Sequence, residues 1–188
     1  RRSDVGTNDW NPEAKVAVVT VMDSNYVEVL PIWADTVHSL RLHCYVVAVD
    51  RDVCGLAWLN KCGCLDAEET GRDFSSSKGW HINRVISVRR RFVGALHMLR
   101  SGFSVFMHDA DVFFHAESLQ ILYQHVAAMI ESKGYDFMVQ NNGARDSAYD
   151  NLNWGFVWMH NTENSRAVLE CALDRWDDVG FLCQGEEC

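Results

Sequence analysis

Positive charge is scarce in this chain: 17 lysines and arginines stand against 26 aspartates and glutamates, a formal charge of −9. A surface that neutralises a nucleic-acid backbone needs the opposite balance, so general nucleic-acid binding is excluded, although a local basic patch can still hold a small anion. No apolar run reaches the roughly 18 residues of a membrane span, so none is expected in this chain. The opening "RRSDVGTNDW" has no apolar core of a signal peptide, so any leader or anchor would lie outside this chain. No N-x-[ST] acceptor occurs, which leans away from a heavily glycosylated surface. The "KCGC" stretch at 61–64 has no second C-x-x-C and no H-x₃₋₅-H at a finger's spacing, which speaks against a structural zinc site.

What is present is a substantial core. At 188 residues and 48% hydrophobic composition the chain suits one domain, 1–188, and is too short for two ordinary ones. The seven cysteines, at 44, 54, 62, 64, 171, 183 and 188, are odd in number, so at least one thiol lacks an intrachain partner. Disulfides in a secretory lumen and buried thiols in a cytosolic protein both remain open.

The apolar pattern alternates between two periods. "KVAVVTVMD" at 15–23 and "CYVVAVD" at 44–50 are β-branched runs, the signature of strands buried on both faces of a parallel sheet. Between them 26–42 has helical spacing, with Ile32, Val37 and Leu40 on one face and Pro31 near the start, completing a βαβ unit. A short helix with a turn is expected at 53–64 and a polar loop at 66–79. A long amphipathic helix follows from Trp80 to Leu99, closed by Gly102, with Arg84, Arg89, Arg90 and Arg91 partly on its outer face. Then come a strand at 103–114, a helix at 116–134 ending at Gly134, a strand at 135–140, a polar stretch at 141–151, a strand at 154–160 and a helix at 162–179. The alternation predicts an α/β fold, a mostly parallel, Rossmann-like sheet flanked by helices. In such sheets ligands bind beyond the carboxyl ends of the strands, where Asp23, Asp50, Asp109 and Asp111 fall.

"HDADVFFH" at 108–115 raises the sharpest chemical question. If the strand continues through it, Asp109 and Asp111 point to one side with Cα atoms about 6–7 Å apart. Two ionised carboxylates that close repel, and a divalent cation, Mg²⁺ or Mn²⁺, is the simplest partner that keeps both charged. The competing reading is a capping Asp109 and a solvated Asp111. An EF-hand begun at Asp109 would need glycine and glutamate where Phe114 and Gln120 stand, and is rejected. A haloacid-dehalogenase-like phosphatase is disfavoured by Phe113 and by the strand's third place in the chain. His108 reads as a packed core histidine.

Three stretches, "RFVGALHMLRSGFSVFMHDADVFF" at 91–114, "NWGFVWMHNTENSRAVLECALDRW" at 153–176, and "VAVVTVMD" with "VVAVD", resemble the nucleotide-diphospho-sugar transferases of GT-A fold. The likeness is closest to the group that contains plant cell-wall xylosyl- and arabinosyltransferases. It implies a glycosyltransferase moving a sugar from a nucleoside-diphosphate donor, UDP-linked by expectation, to a glycan or glycoprotein acceptor with retained configuration. It also implies a Golgi location.

On that resemblance the D-x-D of Asp109, Ala110 and Asp111 holds Mn²⁺ or Mg²⁺ on the diphosphate through its two aspartates. Arg91 adds positive charge, with Arg89 and Arg90 competing for the role. Asp50, Thr20 and Val21 approach the base or ribose, while Asn153, Trp154 and Gly155 lie by the transferred sugar or acceptor. Gln140, Asp146, Asp150 and Asn153 are the catalytic candidates. Members of the family usually continue further and supply a histidine-bearing ligand; here the sequence ends at "FLCQGEEC", with Cys183 and Gln184 near the family's Asp-Gln position. The expectation is therefore a domain lacking a C-terminal portion, and a degenerate domain that binds nucleotide sugar or glycan without turnover is the alternative.

Overall fold

The computed structural model describes residues 15–66, 80–111, 116–141 and 152–179. Its first strand, β1 (Val16–Met22), is buried at every position, as an unbroken apolar run must be when both faces are covered. A 3₁₀ turn, Ser24–Tyr26, leads to helix α1 (Leu30–Ser39), strand β2 (His43–Ala48), helix α2 (Arg51–Leu59) and a short strand β3 (Gly63–Leu65). Helix α3 (Trp80–Arg100), strand β4 (Ser104–His108), helix α4 (Ala116–Lys133), strands β5 (Phe137–Asn141) and β6 (Leu152–Met159) and helix α5 (Glu163–Val179) complete the order.

These strands form one six-stranded sheet in the order β3-β2-β1-β4-β6-β5. The first four run parallel, whereas β6 lies antiparallel to both β4 and β5. The even residues of β1, Val16, Val18 and Met22, pack with Leu30, Trp33, Ala34 and Val37 of α1 and Val53, Cys54 and Ala57 of α2. Its odd residues, Ala17, Val19 and Val21, pack with Phe92, Ala95, Leu96 and Leu99 of α3 and Leu169 of α5. The result is an α/β sandwich of helix, sheet and helix layers. Gly94 sets the closeness of one layer, since a Cβ there would overlap Val47 and touch Val19.

Several local expectations change. The run at 53–64 holds β3 as well as a helix: Tyr45, Val46 and Val47 pair with Gly63, Cys64 and Leu65 and draw this short segment into the sheet. Ile32 faces outward at 60% exposure, and Leu30, Trp33, Ala34 and Val37 form the inner face of α1 instead, because the helix begins only at Leu30. Arg90 is buried, donating from Nη1 to Val49 O at 2.8 Å. Above all, β4 ends at His108; Asp109 to Asp111 lie on the turn beyond it, so the same-side argument for an extended D-x-D does not hold. The antiparallel pair β6-β5 makes the sheet mixed at that edge.

The open question of the cysteines resolves in favour of disulfides at two places, Cys44–Cys62 and Cys54–Cys64, with Cys171 free and exposed. The first ties the turn before β3 to β2, and the second ties α2 to β3 within the same segment. Cys183, Gln184 and Cys188 lie outside the described residues. Among the described residues no helix is long and apolar enough to cross a membrane.

Candidate active site

Parallel strands all end at one edge of the sheet, so their following loops converge there even though they are far apart in sequence. At that edge a cavity of about 230 Å³ is lined by Val21, Asp23, Tyr26, Val49, Arg91, Asp109, Ala110 and Asp111. Val21 lies one residue before the end of β1, Val49 follows β2, Asp109 to Asp111 follow β4, and Arg91 belongs to α3. Three aspartates and one arginine therefore share the lining of one cavity.

The backbone that carries these groups is tied down locally. Asp23 caps the 3₁₀ turn, accepting from Asn25 N at 2.9 Å. Asp50 accepts from Ser24 N at 2.8 Å and Met22 O accepts from Val49 N at 2.9 Å, so the ends of β1 and β2 are joined. Asp109 N donates to Gly155 O at 3.1 Å, fixing the D-x-D turn to β6. Arg91 is ion-paired through Nη2 with Asp109 Oδ1.

Behind the turn sits His108, 2% exposed. Trp33 Nε1 can only donate, so the His108 Nε2 that it meets at 3.3 Å is the acceptor. The ring proton is then on Nδ1, which donates to Asp109 O at 2.9 Å. Both ring nitrogens are satisfied in the neutral form. Burial pushes the His108 pKa down, against the opposing pull of the Asp109 carbonyl and charge, and the nearby Arg91 charge lowers it further. His108 is a packed core histidine that positions the turn.

The structure brings Val21, Arg91, Asp109, Ala110 and Asp111 together around one cavity. Thr20 does not line it: by strand alternation its side chain belongs to the face covered by α1, where Oγ1 is buried with no hydrogen-bond partner among the described residues. Asp50 sits at the rim on Ser24 N, outside the lining. Gly155 is buried and reaches the site through Asp109. Gln140 is exposed and pairs with Asn153 across β5 and β6, next to a bulge after Val139. Because β5 runs in the same direction as β4, this pair ends at the same sheet edge as the cavity. Asn153 and Trp154 lie on β6; Asp146 and Asp150 lie outside the described residues. Asp23, Tyr26 and Val49 enter the lining without having been singled out as binding residues, although Asp23 and Val49 already stand at strand ends in the sequence.

The donor set decides which metal could fit. Asp23, Asp109 and Asp111 offer only hard carboxylate oxygens at an open edge, the chemistry that suits Mn²⁺ or Mg²⁺. Among the described residues the one trio of His, Cys, Asp or Glu whose donor atoms all lie within 4.8 Å of one another is not the aspartates but His38 with Cys44 and Cys62, and there the two sulfurs are joined in a disulfide and are not available as thiolates.

The family model described as nucleotide-diphospho-sugar transferase matches residues 40–176. No curated protein matches the sequence. Among solved structures the chain is similar to the glycosyltransferase GlyE of Streptococcus pneumoniae TIGR4, at 13% identity and a TM-score of 0.49 over 93% of this chain and 41% of that one. It is also similar to the apo form of the same enzyme, at 14% identity and a TM-score of 0.40 over 93% and 40% of the two chains. The chain thus spans about two-fifths of the length of the solved structures it matches.

Proposed function

The chain belongs to the nucleotide-diphospho-sugar transferase family, with a GT-A-like α/β fold, and from that premise we propose that the cavity at the ends of β1, β2 and β4 binds a nucleoside-diphosphate sugar. The observation that carries this reading is the convergence of Asp23, Asp109, Asp111 and Arg91 on one cavity. Val21, Val49 and Tyr26 supply an apolar wall with an aromatic face suited to a base. Arg91 lies where a diphosphate can accept from its planar fork. Asp109 and Asp111 are the residues that would hold Mn²⁺ or Mg²⁺, which supplies Lewis-acid stabilisation of the departing diphosphate when bound.

In the reaction the bond from the anomeric carbon to the diphosphate breaks, its electron pair leaves with the diphosphate, and a bond to an acceptor oxygen forms as that hydroxyl gives up its proton. Arg91 counters charge on the diphosphate. Gln140 and Asn153, together with Asp146 and Asp150, are the candidates to stabilise the cationic sugar, in a reaction that retains configuration. Glycan or glycoprotein hydroxyls are the acceptors and UDP the expected carrier. Two disulfides support an oxidising compartment, in keeping with the Golgi lumen. The whole is one domain of a longer family pattern.

Isothermal titration of UDP and GDP, with and without Mn²⁺, tests the reading. UDP binding that requires Mn²⁺ and vanishes in Asp111→Ala is the expected result; binding that ignores both the ion and Asp111 overturns it.

A further inference from the structure

We propose that Arg91 holds the metal-binding carboxylate in reserve, occupying Asp109 until a diphosphate draws the guanidinium away, so that cation and nucleotide promote each other's binding. The inference rests on the donor-site reading above and deepens it. It concerns how two ligands of the same cavity are coupled.

Arg91 and the cation meet at one carboxylate. Arg91 Nη2 engages Asp109 Oδ1, and Asp109 is one of the two carboxylates assigned to the cation. A guanidinium and a divalent ion compete for that group, because both take its lone pairs and their charges repel at close range. The Arg91 side chain is 16% exposed and that of Asp109 36%, so water screens the repulsion only in part. A cation entering the nucleotide-free cavity meets an Asp109 whose charge is already partly neutralised by Arg91 at Oδ1, and it must bind beside the guanidinium's own positive charge.

A nucleotide alone meets the opposite difficulty. Its diphosphate approaches a lining in which Asp23, Asp109 and Asp111 outnumber Arg91. Together the ligands resolve both problems: the diphosphate accepts the guanidinium in place of Asp109, and the freed carboxylate is available to the cation. Linkage makes the effect reciprocal, so whatever factor the diphosphate adds to cation affinity the cation adds to nucleotide affinity. Arg91 therefore acts against the cation in the empty site and for the nucleotide in the loaded one.

Those opposite signs make the test. Mn²⁺ binding to the nucleotide-free protein is measured by water-proton relaxation, and UDP binding at saturating Mn²⁺ by calorimetry, for the unaltered chain, Arg91→Gln and Arg91→Lys. Arg91→Gln should bind Mn²⁺ about fivefold more tightly or better while binding UDP at saturating Mn²⁺ at least about fivefold more weakly. Arg91→Lys, the gentler change, should show the same opposed shifts at smaller size, since an ammonium lacks the planar fork. If both affinities fall together, or Mn²⁺ affinity does not rise, in whichever variant retains the native circular dichroism, the inference is overturned while Mn²⁺-dependent UDP binding by the unaltered chain leaves the donor site standing. If the unaltered chain binds neither Mn²⁺ nor UDP, the donor-site reading fails and the inference with it.

Discussion

The parallel half of the sheet and its antiparallel edge are built for different work. In β3-β2-β1-β4 the strands are clad by helices on both faces and end at one side, and there Asp23, Val49, Asp109 and Asp111 meet. At β6-β5 the sheet thins toward an exposed border, where Gln140 pairs with Asn153 and a bulge interrupts the ladder. The parallel half also carries both disulfides. The edge relies on a polar clasp instead: Thr162 Oγ1 donates to Asp136 Oδ1 at 2.6 Å, Asn164 Nδ2 to Asp136 Oδ2 at 3.0 Å, and Thr162 Oγ1 caps α5 by accepting from Ser165 N at 3.1 Å. Rigid packing holds the cavity, and surface hydrogen bonding holds the border.

The strongest way to break this contrast is to cut the Cys44–Cys62 tie. Its sequence separation is 18 residues, for which loop-closure entropy gives about 3 kcal/mol of stabilisation. Cys44→Ser with Cys62→Ser should lower the urea-unfolding free energy by about that amount; an unchanged midpoint would mean that packing alone carries the parallel half. Next comes the division of labour at the site. Asp109→Asn should weaken Mn²⁺-dependent UDP binding by about a hundredfold, on the scale seen when metal sites lose a supporting group, whereas Gln140→Ala should leave that binding intact and reduce sugar transfer. Equal losses of binding in both variants would erase the distinction between the two regions.

A third test probes the close approach of α3. A Cβ at position 94 overlaps Val47, a β-branched side chain with little freedom to retreat. Gly94→Ala should therefore cost about 1–3 kcal/mol of stability in denaturant titration. The smallest effect belongs to the border. The Thr162 and Asn164 hydrogen bonds hold the Asp136 carboxyl below the usual carboxylate value. A carboxyl whose pKa is lower folded than unfolded binds fewer protons in the native state, so its contribution is complete above the ordinary aspartate value and is lost as pH falls through the folded one. Hydrogen-exchange protection factors near α5, corrected for the intrinsic rate, should thus fall below about pH 4, and Asp136→Asn should remove that fall. Identical profiles for the variant and the unaltered chain would place the clasp's strength elsewhere.

Most elements are legible in the sequence because their signals are local. The apolar run at 16–22, the helical spacing of 80–100 and the glycines at 102 and 134, which do adopt positive φ, announce themselves within a few residues. Three features do not. The strand β3 is only three residues long and owes its state to pairing with β2. The inward turn of Arg90 depends on a carbonyl at Val49, 41 residues away. The end of β4 at His108 depends on Trp33 and Gly155, from elements remote in the chain.

The sequence by itself determined the alternation of strand and helix, the acidic balance and the family likeness carried by the D-x-D neighbourhood, since each is written in residue type and short-range spacing. Only the tertiary structure decided that Asp109 leaves the strand to sit on a turn, that Arg91 faces it, and that Asp23 and Tyr26 share its cavity. Those outcomes follow from the crossover connections of a parallel sheet, which bring the ends of β1, β2 and β4 together across separations that no local pattern spans.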